Sequence, residues 1–450
     1  MKQKTNKKVS RRDFTKTLTA GTIGASLLFS KSALSYARII GANDIVGIGI
    51  IGLGSISHQH LKRLEEVKDK ARIVAVCDIY KPRLEWGTLT TGATGYHDYH
   101  DLLADDNVDA VIISTPDHWH AQMAIDAMHA GKDVDVEKPM CMTIKEAKKM
   151  VKVAEETGKV LAVDSEHTAH GIWKPAQAAI KSDVLGKLVW SQTSRSRNGG
   201  EIPPWNYKID PDASLKNLDW ERWLGSAPKR PFDKERYFRW RKYWDYSGGI
   251  ATDLYVHHIS PLMKVTGPEF PIRVTGTGGN FVYSTEVLQV PDTFMMTLNF
   301  PSKHAMMVGG SFANTVELPI VIRGHKATIY FKGPDQRRPS YLLIEPEEPF
   351  IDGFKEKVRN AGLEGKWLEW KEVKKEDGLG FRKIKPVLRI DSPPSEGFTE
   401  NFLRCMYTRE KPVLDGRLGY MVQVAVSLAN QSYRENRVML FDPASETIKV

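Results

Sequence analysis

The chain reads as an α/β domain built on a doubly wound parallel Rossmann sheet, followed by a C-terminal α+β domain with an open, mainly antiparallel sheet. Three observations predict this. From residue 44 onward, short apolar runs alternate with helical patterns at spacings of about 23–37 residues, as strand-plus-crossover units require. The first run ends in the glycine turn Gly52-Leu53-Gly54. After about residue 166, β-type runs follow one another without regular helices between them. A chain of 450 residues also exceeds what one ordinary core encloses.

Residues 44–51 form an apolar run without polar alternation, the pattern of a strand buried on both faces. Similar runs recur at 73–77, 110–114, 134–136 and 160–163, with helices predicted over 58–67, 81–90, 119–130 and 144–157. Gly131 and Gly158 stand where helix ends are expected. In the second half, a helix is predicted over 173–181 and strands over 188–193, 272–277, 293–300, 305–310, 319–322 and 327–331. Residues 198–245, rich in Trp, Tyr, Arg and Pro, read as a long irregular excursion and an ordered binding wall. Residues 333–395 read mostly as a charged surface insertion, and 396–408 and 418–435 as closing helices. The implied division is 1–37, 45–165, 166–395 and 396–450.

The net charge of +9 is concentrated at the start. Residues 1–37 hold eight basic residues against Asp13, a net +7, which leaves +2 for the remainder. Without a basic stripe interleaved with aromatics, nucleic acid is excluded as a partner. The segment Ser10-Arg11-Arg12-Asp13-Phe14-Thr15-Lys16 resembles a twin-arginine signal. An apolar run over 18–29 follows, and Ser35-Tyr36-Ala37 offers a cleavage site. The run is too short to span a bilayer, so no stable membrane anchor is expected. The chain is therefore expected to be exported, to the periplasm or an equivalent compartment, by the twin-arginine machinery. Three scattered cysteines make no disulfide framework, which suits export of an already folded protein.

Gly52 permits the tight turn after the first strand, and Gly54, Ser55 and Ile56 open the helix whose N-terminus would receive a pyrophosphate. Ser57 replaces the third glycine of the usual fingerprint, a small residue that still allows close helix–strand packing. Asp78 ends the second strand, 26 residues after Gly52, where an acid hydrogen-bonds the adenosine ribose. NAD is the expected cofactor, with Lys81 and Arg83 leaving NADP open.

Two further segments carry a family resemblance. Ser114-Thr115-Pro116-Asp117-His118-Trp119-His120 resembles a T-P-x-x-x-H strand end, and Glu137-Lys138-Pro139 an E-K-P motif after the next strand. With the glycine turn they are similar to the glucose–fructose oxidoreductase, inositol dehydrogenase and rhizopine-catabolism (Gfo/Idh/MocA) family, in its exported bacterial branch. The segment from Asp245 to His258 resembles that family's G-G-x-x-x-D-x-G-x-H helix, with Tyr255 and Ser260 as departures.

The resemblance implies Thr115, Pro116, His120, Glu137 and Lys138 at the cofactor, and Lys138, Asp253 and His257 as the catalytic group. His257 would accept the hydroxyl proton, Lys138 would hold the substrate oxygen, and Asp253 would orient substrate or base. Asp253 and His257, four apart on a helix, are expected to share one face, the carboxylate raising the imidazole pKa. His167, Tyr255 and His258 are expected on the substrate side. His167 and His170 superficially offer metal ligands, but a substrate or nicotinamide contact is the preferred reading and no metal is expected. The resulting expectation is an NAD(P)-dependent oxidoreductase of a sugar, glycoside or polyol, including one forming 3-keto sugars, with tightly bound cofactor and homo-oligomeric assembly. The competing readings are a redox-neutral glycoside hydrolase and a non-enzymatic sugar-binding protein.

Overall fold

The computed structural model describes residues 45–335, 338–371 and 384–449. The twin-arginine segment and its cleavage site lie outside the described residues.

Six strands form the first sheet: β1 (Val46–Ile51), β2 (Ala71–Cys77), β3 (Thr94–Tyr96), β4 (Ala110–Ile113), β5 (Asp133–Glu137) and β6 (Leu161–Asp164). Their order is β3-β2-β1-β4-β5-β6, and every pairing is parallel. All residues of β1 and β4 are buried, which is why these strands read as unbroken apolar runs. The crossovers are α1 (Ser57–Glu65), α2 (Lys81–Thr91), α3 (Tyr99–Ala104), α4 (Asp117–His129) and α5 (Ile144–Thr157). Thr143 and Glu146 cap α5 reciprocally, and Gly158, at φ +67°, ends it. β3 and α3 were not separated in the sequence reading. A three-residue strand containing Gly95 offers no apolar run to detect.

The second region begins with α6 (Trp173–Lys181), β7 (Leu188–Ser194) and β8 (Arg197–Asn198). The excursion contains short helices α7 (Trp220–Leu224) and α8 (Lys234–Phe238) and leads into α9 (Val256–Thr266). Strands follow as β9 (Arg273–Gly279), β10 (Thr293–Asn299), β11 (Ala305–Ser311), β12 (Ala313–Asn314), β13 (Val321–Gly324), β14 (Ala327–Lys332) and β15 (Tyr341–Pro346). Next come α10 (Phe354–Asn360), β16 (Lys366–Lys371), β17 (Ile384–Asp391), α11 (Phe398–Thr408), α12 (Gly416–Glu435), β18 (Met439–Asp442) and β19 (Thr447–Lys449).

Among the described residues, eleven of these strands make one sheet in the order β16-β17-β15-β14-β13-β7-β11-β10-β9-β18-β19. Its pairings are antiparallel except β7 with β11, so the open, mainly antiparallel sheet stands. The reading of 333–395 as surface insertion is corrected. β15 and β17 extend the sheet, burying Leu342, Ile344 and Leu388. In β15 burial alternates residue by residue, but Tyr341 and Leu343 between the buried positions are apolar as well, so no apolar–polar period marks the strand. The segment after α12 is likewise no tail, because β18 pairs with β9. α12 packs on both β9 and α5, joining the two sheets into one core. No helix among the described residues is long and apolar enough to cross a membrane. Cys77, Cys141 and Cys405 are buried free thiols.

Candidate active site

The sheet order reverses between β2 and β4 on either side of β1, and the loops after β1 and β4 diverge into a cleft. Gly52 has φ +93°, and a Cβ there would stand 2.9 Å from the Ser114 carbonyl group. Any side chain would force the two loops apart. Gly54 has no such neighbour, only the Arg83 guanidinium 3.9 Å from where a Cβ would be, so its backbone lies bare to the cleft. Ser57 is buried, and its hydroxyl donates to the Gly54 carbonyl at 2.6 Å, tightening the turn.

The cleft opens into a cavity of about 570 Å³. Gly52, Gly54, Ser55, Ile56, Thr115 and Pro116 line it as expected. Asp78 lines the adenosine end, with both carboxylate oxygens accepting backbone N–H groups, from Leu53 and from Tyr80, each at 2.8 Å. Burial pushes this carboxyl upward, and the nearby Arg83 opposes that. Bare glycine backbone, a helix N-terminus and an acid at the far end are the parts a dinucleotide needs.

The excursion forms the outer wall of this cavity. Arg222, Trp223, Tyr237, Phe238, Trp240 and Arg241 face into it, and Arg83 packs against the Tyr237 and Phe238 rings at 5.2 and 5.6 Å. Trp220, Trp223, Tyr237 and Tyr246 belong to a small apolar core of their own. The T-P-x-x-x-H motif pins this core down. The Trp119 indole N–H and the His118 Nε2 both stand 2.8 Å from the Trp223 carbonyl. Tyr207, Trp223, Tyr237 and Trp240 thus line the dinucleotide cavity, whereas Trp205, Trp220 and Trp244 do not.

Lys138, at the end of β5, donates to the Asp253 side chain at 2.8 Å and to its carbonyl at 2.7 Å. Asp253 sits in a single π-helical turn, Ala251–Tyr255, that leads into α9. Such turns occur often at functional sites. Its carboxylate also accepts from Arg241 Nε at 3.1 Å and from the Trp205 indole at 2.9 Å. Burial alone would raise the Asp253 carboxyl, but Lys138 and Arg241 outweigh it and hold it far below its ordinary range. Arg241 lines the cavity while bonding Asp253, so it joins the two halves of the site.

The expected Asp253–His257 pair is corrected. The Asp253 oxygens are taken by two cations and an indole, and His257 Nδ1 instead lies 3.1 Å from the Ser165 hydroxyl. Burial and the positive charge of Lys138 hold the imidazole well below 6.5, not above it. The His167 ring stands 4.9 Å from that of His257, tilted by 40°, and His258 stands 5.7 Å from His167, beside Thr193. His167, expected on the substrate side, thus lies beside His257, and His258 is buried behind it.

Three further expectations change. Tyr255 is fully buried and donates to the Phe294 carbonyl on β10, so it packs under the sheet and not into the substrate pocket. His120 turns both ring nitrogens onto backbone carbonyls, those of Thr115 (2.8 Å) and Pro139 (2.7 Å), and braces two loops from behind. Glu137 faces α1, its carboxylate 3.0 Å from His60 Nε2. With Asp164 these two bring three ligand-type atoms within 4.8 Å, but Arg63 bonds Asp164 at 2.6 Å, making an ion-pair network that binds α1 to β5 and β6.

Sequence reasoning gave no role to Ser165, Arg241 or Asp117, and placed Trp205 only within an aromatic binding wall. Asp117, at the first turn of α4, is buried with one carboxyl oxygen unpartnered. Burial pushes it up to about 8 against the pull of Arg241. Because its folded pKa is raised, its contribution to stability is largest below pH 4 and is lost as pH rises through 8. The Asp117→Asn variant lacks this loss. Its melting temperature relative to the unmodified protein is expected to rise between pH 5 and 9, and an unchanged difference would place Asp117 ionised throughout.

Comparisons with known proteins agree with this geometry. Residues 46–165 match the oxidoreductase family, NAD-binding Rossmann fold, and residues 226–440 match its C-terminal alpha/beta domain. Inositol 2-dehydrogenase of Salmonella paratyphi B is 36% identical over 113 residues, 25% of this chain and 34% of that protein. A glycosyl hydrolase family 109 protein of Shewanella putrefaciens is 37% identical over 176 residues, 34% of this chain and 38% of that protein. The match thus spans about a third of the length of these relatives. The WlbA dehydrogenase of Bordetella pertussis, solved in complex with NADH and UDP-GlcNAcA, shares the fold. Its TM-score is 0.63 at 19% identity, over 88% of this chain and 98% of that one. With both of its domains matched, the chain belongs to the Gfo/Idh/MocA family of NAD-binding oxidoreductases.

Proposed function

We propose that this protein is a dehydrogenase oxidising a CH–OH group of a sugar, glycoside or polyol, with its dinucleotide retained through turnover. The observation that carries this reading is the Arg241 bridge: Arg241 lines the dinucleotide cavity and bonds Asp253, the carboxylate that Lys138 also contacts. When bound, the dinucleotide supplies the hydride acceptor, C4 of its nicotinamide. His257 takes the proton of the substrate hydroxyl at Nε2, its Nδ1 side held by Ser165. Lys138 holds the same oxygen as the carbonyl forms, and Asp253 and Trp205 fix the lysine in place. His167 contacts the substrate or nicotinamide.

Retention of the cofactor is supported by the excursion that walls the cavity. It also suits a protein exported folded, by the twin-arginine route, to a compartment without free nicotinamide. Asp78 favours NAD, and Arg83 leaves NADP open. Exposed Met295 and Leu440 on the uncovered sheet face suit a homo-oligomer.

The family 109 relatives favour a second reading, transient oxidation of a glycoside followed by elimination, hydration and re-reduction. One experiment separates the two. Denaturing the purified protein is expected to release NAD(H) in near-equimolar amount, and the native protein given aryl glycosides is expected to show net nicotinamide reduction. Aglycone release without net reduction would instead identify the hydrolase. Neither reaction, with no nucleotide released, would sink both readings.

A further inference from the structure

Lys138 and Arg241 bring two positive charges to Asp253, and a second carboxyl, Asp117, stands in the same neighbourhood. Asp117 follows Pro116 in the loop after β4 and opens α4. It is buried, and its Oδ2 has no hydrogen-bond partner among the described residues. Three other segments act on it electrostatically. Arg241 does so from the excursion, Asp253 from the π-helical turn, and Lys138 and the buried, neutral Cys141 thiol from the segment after β5. On its own helix, His118 and His120 are turned onto backbone carbonyls.

Ionised, Asp117 joins Asp253 in matching the two cations one to one. Neutral, it leaves the site one positive charge in excess. Burial, opposed by Arg241, sets the balance between these states near pH 8, so one charge gained or lost nearby tips it. The reaction changes such a charge, because an oxidised nicotinamide ring is a cation and a reduced one is neutral. Pro116 and Arg241 both line the dinucleotide cavity, one adjoining Asp117 along the chain and the other through its field. Neither of the other carboxyls flanking Lys138 can answer the change. Against burial, Lys138 and Arg241 keep Asp253 ionised, and His60 does the same for Glu137.

We propose that Asp117 takes up one proton when the bound nicotinamide is reduced and gives it up when the ring is reoxidised. This rests on the oxidoreductase reading above. In the oxidation, the substrate C–H bond breaks and its hydrogen leaves with both electrons for the nicotinamide. The hydroxyl proton goes to His257. As His257 returns to neutral, Asp117 binds one proton, so none is released to solvent. Asp117 is thus a positioning residue that acts through the charge around Lys138. A retained cofactor then cycles at constant site charge, in a buried volume where an uncompensated charge is costly.

Potentiometric titration of the holoprotein, followed at the absorbance of the reduced nicotinamide, tests this without any substrate. Reduction of nicotinamide by itself couples one proton to two electrons. Just below pH 8, where Asp117 is protonated only in the reduced form, a second proton is expected to enter. The slope of the potential with pH should double there and return to the ordinary value above pH 8. In Asp117→Asn the ordinary slope is expected at every pH. The infrared difference between dithionite-reduced and oxidised parent protein should gain a protonated-carboxyl band. A single slope in the parent, a steep slope that persists in Asp117→Asn, or no such band would overturn the proposal and leave the dehydrogenase standing. A purified protein with no reducible nicotinamide would instead remove the oxidoreductase reading, and this proposal with it.

Discussion

Replacing His257 with alanine is expected to slow hydride transfer by about 10²–10⁴-fold, the usual worth of a positioned general base. The loss should fall on the chemical step, because the ring touches Ser165 and His167 and no nucleotide-binding loop. Cofactor content of the purified variant should therefore stay at that of the parent protein. Normal turnover by His257→Ala would remove it from the mechanism.

The pH profile of the parent enzyme provides a second check on the same residue. Burial and Lys138 hold this imidazole below its ordinary 6.5, so it is already neutral, and competent to accept a proton, in mildly acidic solution. The rate of bound-nicotinamide reduction is expected to stay level as pH falls from 8 to 6. An acid limb centred near 6.5 would show that the imidazole is less buried in the working enzyme.

Replacing Asp253 with alanine is expected to be the most destabilising single change in the site. The carboxylate is buried and accepts from Lys138, Arg241 and the Trp205 indole. Removing it strands two cations and an N–H donor in a poorly hydrated pocket. Breaking a buried charge pair by removing one partner costs about 3–5 kcal/mol. A drop in unfolding free energy of that order, read by chemical denaturation, should accompany loss of activity. Asp253→Asn keeps the shape and one acceptor oxygen, so it should recover part of the stability and little of the activity. If the alanine variant melts like its parent, the cluster is more solvated than its geometry implies.

The first sheet was legible because its strands are buried on both faces. Residues 46–51 and 110–113 are buried throughout, which requires an unbroken apolar run. The dinucleotide turn was legible because φ +93° at residue 52, and the backbone of Ser114 at 2.9 Å, leave only glycine room to fit. Lys138, Asp253 and His257 were located by motif, and the structure brings them to one place. Their partners could not be read from spacing. Asp253 lies four residues from His257, yet it bonds residues 115 positions before it and 12 before it. The Ser165–His257 contact joins residues 92 apart.

Tyr255, His120 and Glu137 were placed on ligands because their motifs surround the site, but a motif does not say which way a side chain points. The strand at Tyr341–Pro346 was misread because both its buried and its half-buried positions hold apolar residues, which leaves no period-two pattern to detect. The sequence alone thus determined the two sheets and the cofactor class, since these follow from local periodicity and backbone sterics. Only the tertiary structure decided that the aromatic excursion walls the dinucleotide cavity, and that Asp253 pairs with Lys138 and Arg241 and not with His257. Each of these depends on which distant groups share one desolvated volume, and the chain's linear order does not record that.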